Sequence, residues 1–404
     1  MFKYVINIFR FLIMFLVVSL LITSCTAKKE SGKVYVVYCI DTESDAYNYR
    51  KFQQSLKLNS LLLGTKATFD TAWRNRLKDS YGNRLKISWF LMTIEGYRHT
   101  FQGINAIPNM FIKNFKNQIN NYQDEIGWHY HHSDWYKQKS KNYFQWNLIE
   151  TFNNTIYRNK TDREIAIQQF ASFVYLNRFY PAVFRAGWVW ENRDFSNWLD
   201  SLIPFDYSHN WSEVDNDLNF YHPNKNNLFE SGKLSRTIIK SVEKDTTYIE
   251  SLFKKASHGE TVLYSYYTHN YGITKNNNCI ISAANRTHSK LKKLSQKYGV
   301  KFRYCSASEA AQLMLNIKDS SQYTLNVNFN KSDKSICVSN SNNTFGVPLI
   351  CYKTTENEIK GAFLSQSKNG WYYVINNSSI ISFIIASVNK NGNAFVSKDY
   401  IIRQ

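Results

Sequence analysis

Past residue 32 the chain runs Val34-Tyr35-Val36-Val37-Tyr38-Cys39-Ile40, an unbroken β-branched and aromatic run that stops at Asp41-Thr42-Glu43. A short apolar run ending abruptly in acids reads as a buried strand. Similar runs occur at Lys86 to Met92, Ala182 to Arg185, Thr261 to Tyr267 and Val300 to Tyr304. Between them, Asp162 to Leu176, Phe195 to Leu202 and His288 to Tyr298 suit helices. Strands alternating with helices predict a parallel α/β sheet, and the length favours closure into a barrel.

The texture changes near Lys318. From Tyr323 onward, short alternating strands and polar turns dominate, among them Trp371 to Ile375 and Ile380 to Val388. Lys368-Asn369-Gly370 and Lys390-Asn391-Gly392 are hairpin signals, because Asn-Gly supplies the positive φ angles of a type I′ turn. The expected organisation is a leader over 1–25, a polar tether over 26–32, a barrel over 33–317 and a small β-sandwich-like domain over 318–404. That last segment holds no histidine, so chemistry is expected in the barrel.

The leader carries Lys3 and Arg10, the apolar run Phe11 to Ile22, and Ile22-Thr23-Ser24-Cys25. This is the pattern of a secretory signal. The apolar run falls short of the roughly 20 residues that span a bilayer. Cys25 sits as in a bacterial lipobox, which implies lipidation there and anchoring in the cell envelope, at the outer membrane or cell surface. An uncleaved membrane anchor is the alternative.

Charge narrows the partners. The chain has 50 Lys+Arg against 31 Asp+Glu, a formal net charge of +19. Outside the cytoplasm such a balance favours anionic lipid surfaces or acidic glycans. The basic residues are scattered, which argues against a nucleic-acid face. The five cysteines after Cys25 are odd in number and show no Cys-x-x-Cys spacing, so neither a disulfide framework nor a cysteine-rich metal site is implied.

The predicted strand ends carry the polar groups: Asp41 and Glu43, then His129, His131 and His132 within Asp124 to Trp135, then Arg185-Ala186-Gly187-Trp188, then Thr268-His269-Asn270-Tyr271. Strand C-termini are where α/β barrels build their sites. Paired carboxylates, clustered imidazoles, an arginine and a separate histidine suit metal-assisted hydrolysis. Singly, each has a plainer reading as a helix cap, an ion pair or a satisfied histidine.

In this order the motifs resemble the polysaccharide deacetylase (NodB-homology) family, carbohydrate esterases that remove N- or O-acetyl groups from glycans. Val37 to Glu43 lies where the family has a strand ending Thr-Phe-Asp-Asp-Gly, and Ile87 to Leu91 looks like its Ala-Thr-Phe-Phe-Leu strand. Asp124 to His129 is similar to His-Glu-Ile-Gly-x-His, and Arg185-Ala186-Gly187 to Arg-x-Pro/Gly. Phe205 to Ser208 looks like Tyr-Asp-Ser-Ser, His269 like the late histidine, and Ser306 to Ala310 like the closing Ser/Thr-x-x-Glu. The resemblance covers roughly residues 33 to 310.

It implies a deformed (β/α)7 barrel with a divalent metal, Zn or alternatively Co, Ni or Mn. Asp41 falls on the general base, Arg185 on its support and His269 on the acid. The family's metal-binding Asp falls on Thr42, so Glu43 is expected to replace it. His129 falls on the first metal histidine. The second position falls on Ser133, leaving His131, or His132 as substitute. Trp188, Trp128 and Tyr271 are the candidate substrate contacts, with Trp135, Trp190 and Trp211 nearby, although burial of such indoles is as ordinary as sugar stacking. The expected activity is deacetylation of a cell-surface or extracellular polysaccharide. The alternative is a glycan-binding lipoprotein without turnover.

Overall fold

The computed structural model describes residues 31–43, 64–93, 103–138, 141–146, 152, 155–157, 160–209, 211, 218–243, 246–270, 279–317, 322–339 and 343–402. Cys25 and Tyr271 lie outside the described residues, and so does the side chain of Trp135. Seven strands form the barrel: β1 (Lys33–Thr42), β2 (Ile87–Thr93), β3 (Glu125–Tyr130), β4 (Val183–Ala186), β5 (Phe205–His209), β6 (Thr237–Val242) and β7 (Val262–His269). Each pairs in parallel with the next, and β7 returns to β1 to close the ring. The ring is deformed at β1. Its first half pairs with an eighth strand, β8 (Lys301–Cys305), through Val34 and Phe302, and its second half pairs with β2 through Tyr38 and Ile87.

The continuous apolar runs follow from burial on both faces. Tyr35, Val37 and Cys39 point inward with Phe90, Val183, Phe205, Tyr207, Leu263 and Tyr267. Val34, Val36, Tyr38 and Ile40 point outward into the larger core beneath the helices. Strand side chains alternate, so the inward column of β1 continues to Asp41 and Glu43.

Among the described residues the helices include α1 (Thr71–Arg76), α2 (Ala106–Tyr122), α3 (Asp162–Asn177), α4 (Arg193–Leu199), α5 (Thr246–Ser257), α6 (Cys279–Tyr298) and α7 (Ala307–Met314). Helix α3 starts on a capping box in which Thr161 and Glu164 satisfy each other's backbone N–H groups, and it ends at the left-handed Arg178 (φ 54°). Helix α6 begins nine residues before the expected His288, because Ile280, Ala284, His288 and Leu291 continue one buried stripe. No described helix is long and apolar enough to cross a membrane.

After the barrel come two antiparallel sheets. One contains Asn326–Asn330, Ser335–Ser339, Ser365–Ser367 and Gly370–Val374, and the other is centred on Thr344–Thr354 and Ile380–Asn389. Ile336 and Val338 of one meet Ile350, Phe383 and Ile385 of the other in a shared core. The opposite face of the second sheet, with Leu349, Cys351, Ile384 and Ala386, belongs to the barrel's outer core. Contact there is close: a Cβ at Gly361 would lie 2.5 Å from Ala171 of α3, and Tyr175 Oη lies 2.7 Å from Ser382 Oγ.

The last hairpin corrects one expectation. Its positive φ falls on Gly392 alone (82°), with Gly392 N donating to Asn389 O, so the turn is type I followed by a left-handed glycine rather than type I′. All five described cysteines are free thiols.

Candidate metal centre

At the C-terminal mouth of the barrel the inward positions of β1, β3, β4 and β7 bring Asp41, Glu43, His129, His131, Arg185 and His269 together. The register sets the heights: Asp41 is level with His269 across β1 and β7, and His129 is level with Arg185 across β3 and β4. Glu43 follows β1 directly, and its backbone N–H donates to Asn270 Oδ1 at 2.9 Å. Asn270 N in turn donates to the carbonyl of Asp41 at 3.3 Å. No sequence pattern signals this latch, since an Asn after a strand end carries no pattern of its own. Thr42 faces the other way, fully buried, with its hydroxyl near Ile40 O.

Glu43 Oε1 lies 3.0 Å from both His129 Nε2 and His131 Nε2. The other nitrogen of His129, Nδ1, lies 2.8 Å from the carbonyl oxygen of Arg185. A carbonyl only accepts, so Nδ1 carries the proton and the Nε2 lone pair faces a carboxylate oxygen. Two acceptors at that distance need a cation between them, either a proton or a metal ion. One carboxylate oxygen and two imidazole nitrogens, all buried and within 4.8 Å of one another, are the donor set of a three-residue site for a divalent metal. The backbone carbonyl on Nδ1 is the outer partner that usually orients such a ligand.

The electrostatics match this crowding. Burial alone would raise the Glu43 pKa, but hydrogen bonds from His129 and His131 reverse that and hold it well below the usual carboxylate range. Burial works against a charged His129, yet Asp41 and Glu43 carry its pKa above the ordinary imidazole value. For His131 burial dominates, and its pKa is lowered.

Asp41 sits beside this set. Arg185 Nε donates to Asp41 Oδ2 at 2.8 Å, and Arg185 Nη1 donates to Tyr207 O at 2.5 Å. The guanidinium lies 3.7 Å from the centre of the Tyr267 ring. Asp41 Oδ1 is buried with no hydrogen-bond partner among the described residues. His269 Nε2 is 3.8 Å from Asp41 Oδ2 and 4.0 Å from Glu43 Oε1, and its side chain is 28% exposed.

Gly187 is required by His131. A Cβ there would fall 2.2 Å from the imidazole Cγ. The next two residues, Trp188 and Val189, hold φ values of 54° and 51°, unusual for side chains of this bulk. That turn leaves Trp188 41% exposed at the rim, with its ring 5.7 Å from His131.

One expected substrate contact fails, and the substitute histidine is not the one that faces the site. Trp128 cannot touch substrate: it is fully buried, packed against Phe170 and Phe184, with Nε1 bound to Thr93 Oγ1 at 2.9 Å. As the neighbour of inward-facing His129, it must face outward. His132 does not substitute for His131. It points outward too, its Nδ1 2.5 Å from Asp162 Oδ2. Asp124, the entry to the histidine segment, serves structure: it accepts from both terminal nitrogens of Arg74, from Ile87 N and from Trp89 Nε1.

No protein-family model matches the sequence, and no curated protein matches it. Among solved structures, one similar chain is a Mycobacterium smegmatis protein whose description proposes a polysaccharide deacetylase. It is 11% identical with a TM-score of 0.43, covering 73% of this chain and 94% of its own. Another is a double mutant of a Cellulomonas fimi endo-beta-1,4-mannanase, 8% identical with a TM-score of 0.28, covering 92% and 94%. Likenesses this low lend no support to a function, which rests instead on the residues of the site.

Proposed function

We propose that the protein is a metal-dependent hydrolase that removes acetyl groups from a cell-surface or extracellular polysaccharide. The observation that carries this reading is the convergence of His129 Nε2 and His131 Nε2 on Glu43 Oε1 beside Asp41, whose Oδ1 has no hydrogen-bond partner among the described residues. The ordered motifs that resemble the deacetylase family support the same chemistry. Glu43, His129 and His131 would hold the metal, which when bound would polarise the acetyl carbonyl and acidify water.

Asp41 supplies the base. Its Oδ2 is held by Arg185, which aims the carboxylate, and its Oδ1, with no hydrogen-bond partner among the described residues, takes a proton from the attacking water. Arg185 is itself fixed by Tyr207 O and the Tyr267 face, so it orients the base without touching substrate. His269, partly exposed beside Asp41, donates a proton to the leaving amine or alkoxide. The acyl C–N or C–O bond breaks, the water oxygen bonds to the acyl carbon, and acetate departs. Trp188 at the rim offers an indole face to a sugar ring. Lipidation at Cys25 would place this site at a bacterial cell surface, and the basic chain suits an acidic glycan.

The binding-only alternative rests on Thr42 and Ser133 standing where a metal Asp and a second His are expected. Acetate release from N- and O-acetylated polysaccharides, by protein loaded with Zn, Co, Ni or Mn, separates the two. Release that depends on the metal supports the enzyme. Glycan binding by fully loaded protein that liberates no acetate favours the alternative.

A further inference from the structure

His131 and His132 are adjacent, and only one can face the mouth of the barrel. The residues on either side of His131 are both tied to one carboxylate. Tyr130 Oη donates to Asp162 Oδ1 at 2.7 Å, and His132 Nδ1 lies 2.5 Å from Asp162 Oδ2. Asp162 is fully buried at the first position of α3, where the helix dipole favours a negative charge. Aromatic rings close around the arrangement: Phe152, Trp190 and Phe195 meet the His132 ring edge to face, and Phe195 also packs on Tyr130.

A strand end is free to twist once its ladder stops, and a one-residue change of facing would exchange His131 for His132. Strand β3 ends at Tyr130, so the ladder does not fix the facing of residue 131. Hydrogen bonds at 130 and 132 to a single carboxylate do fix it, since both residues must then point outward and His131 inward. Gly187 provides the space that His131 enters.

We propose that Asp162 is a positioning residue for the metal centre, selecting His131 over His132 as the second histidine ligand by clamping Tyr130 and His132. The inference rests on the metal reading of Glu43, His129 and His131. Asp162 touches neither metal nor substrate. Its effect passes through the backbone of 130–132.

The test is Co2+ affinity by chelator competition, with the visible spectrum of bound Co2+, on the full mature chain. Loss of an outer-shell partner commonly weakens metal binding about 10–100-fold, and Asp162→Ala is expected in that range with an altered Co2+ spectrum. Asp162→Asn keeps an acceptor for Tyr130 and a polar partner for His132, so it should restore most of the affinity. Tyr130→Phe removes one arm by a single oxygen, gives a smaller loss, and serves if Asp162→Ala does not fold. Metal-free thermal midpoints run alongside separate positioning from stability, because a purely structural residue would lower the midpoint and leave affinity and spectrum unchanged. Wild-type affinity and spectrum in Asp162→Ala, or in Tyr130→Phe where the first is unfolded, overturns the clamp alone. Wild-type protein that binds no Co2+ overturns the metal reading and the clamp with it.

Discussion

Arg185 Nε donates to Asp41 Oδ2 at 2.8 Å in a pair whose side chains are 0% and 4% exposed. Removing one partner of a buried pair leaves an uncompensated charge, at a cost of about 3–5 kcal/mol. Arg185→Met should therefore lower the urea midpoint strongly. The double variant with Asp41→Asn should recover part of that loss, because the stranded charge is gone. Asp41→Asn alone should cut kcat by about 10²–10⁴, the usual contribution of a positioned base, with metal content unchanged.

Gly187→Ala probes the cradle of His131. The added methyl lies within 2.2 Å of an imidazole carbon, so the ring must shift. Metal content measured after dialysis should fall while the metal-free far-ultraviolet spectrum stays that of the parent. Unchanged metal content would show that the ring position at this site is not critical.

Trp188→Ala tests the rim. A residue 41% exposed contributes little to the core, so the melting temperature should move by only a few degrees. Loss of a sugar-stacking face should raise KM for a polysaccharide several-fold and leave kcat nearly intact, the mark of an interaction equal in ground and transition states.

His209 gives a pH prediction. Burial, with Lys240 nearby, depresses its pKa from 6.5 to about 4. Between those values the unfolded chain binds a proton that the folded chain does not, so stability falls as pH drops through 6.5 and levels off near 4. The full effect is on the order of 3 kcal/mol. Unfolding free energies measured across this window should show that slope, and His209→Gln should flatten it.

Much of this architecture is visible in the chain because buried parallel strands leave unbroken apolar runs, as at Val34 to Ile40. Asp41 and Glu43 were legible for the same reason: they extend the inward column of Val37 and Cys39. Nearness in sequence to His129 suggests a substrate contact at Trp128, but strand alternation turns the indole away from His129 and into the outer core. The His-x-His spacing favours His131 over His132, but the partner that holds His132 away, Asp162, lies thirty residues on and on another element. Asn270 was invisible for a similar reason, since its partner Glu43 lies 227 positions away.

Anomalous diffraction at the Zn or Co edge, from crystals of metal-loaded protein, tests the centre most directly. One peak is expected at about 2.0–2.2 Å from Glu43 Oε1, His129 Nε2 and His131 Nε2. No peak there, or a peak held by His132 or by residues elsewhere, would contradict it.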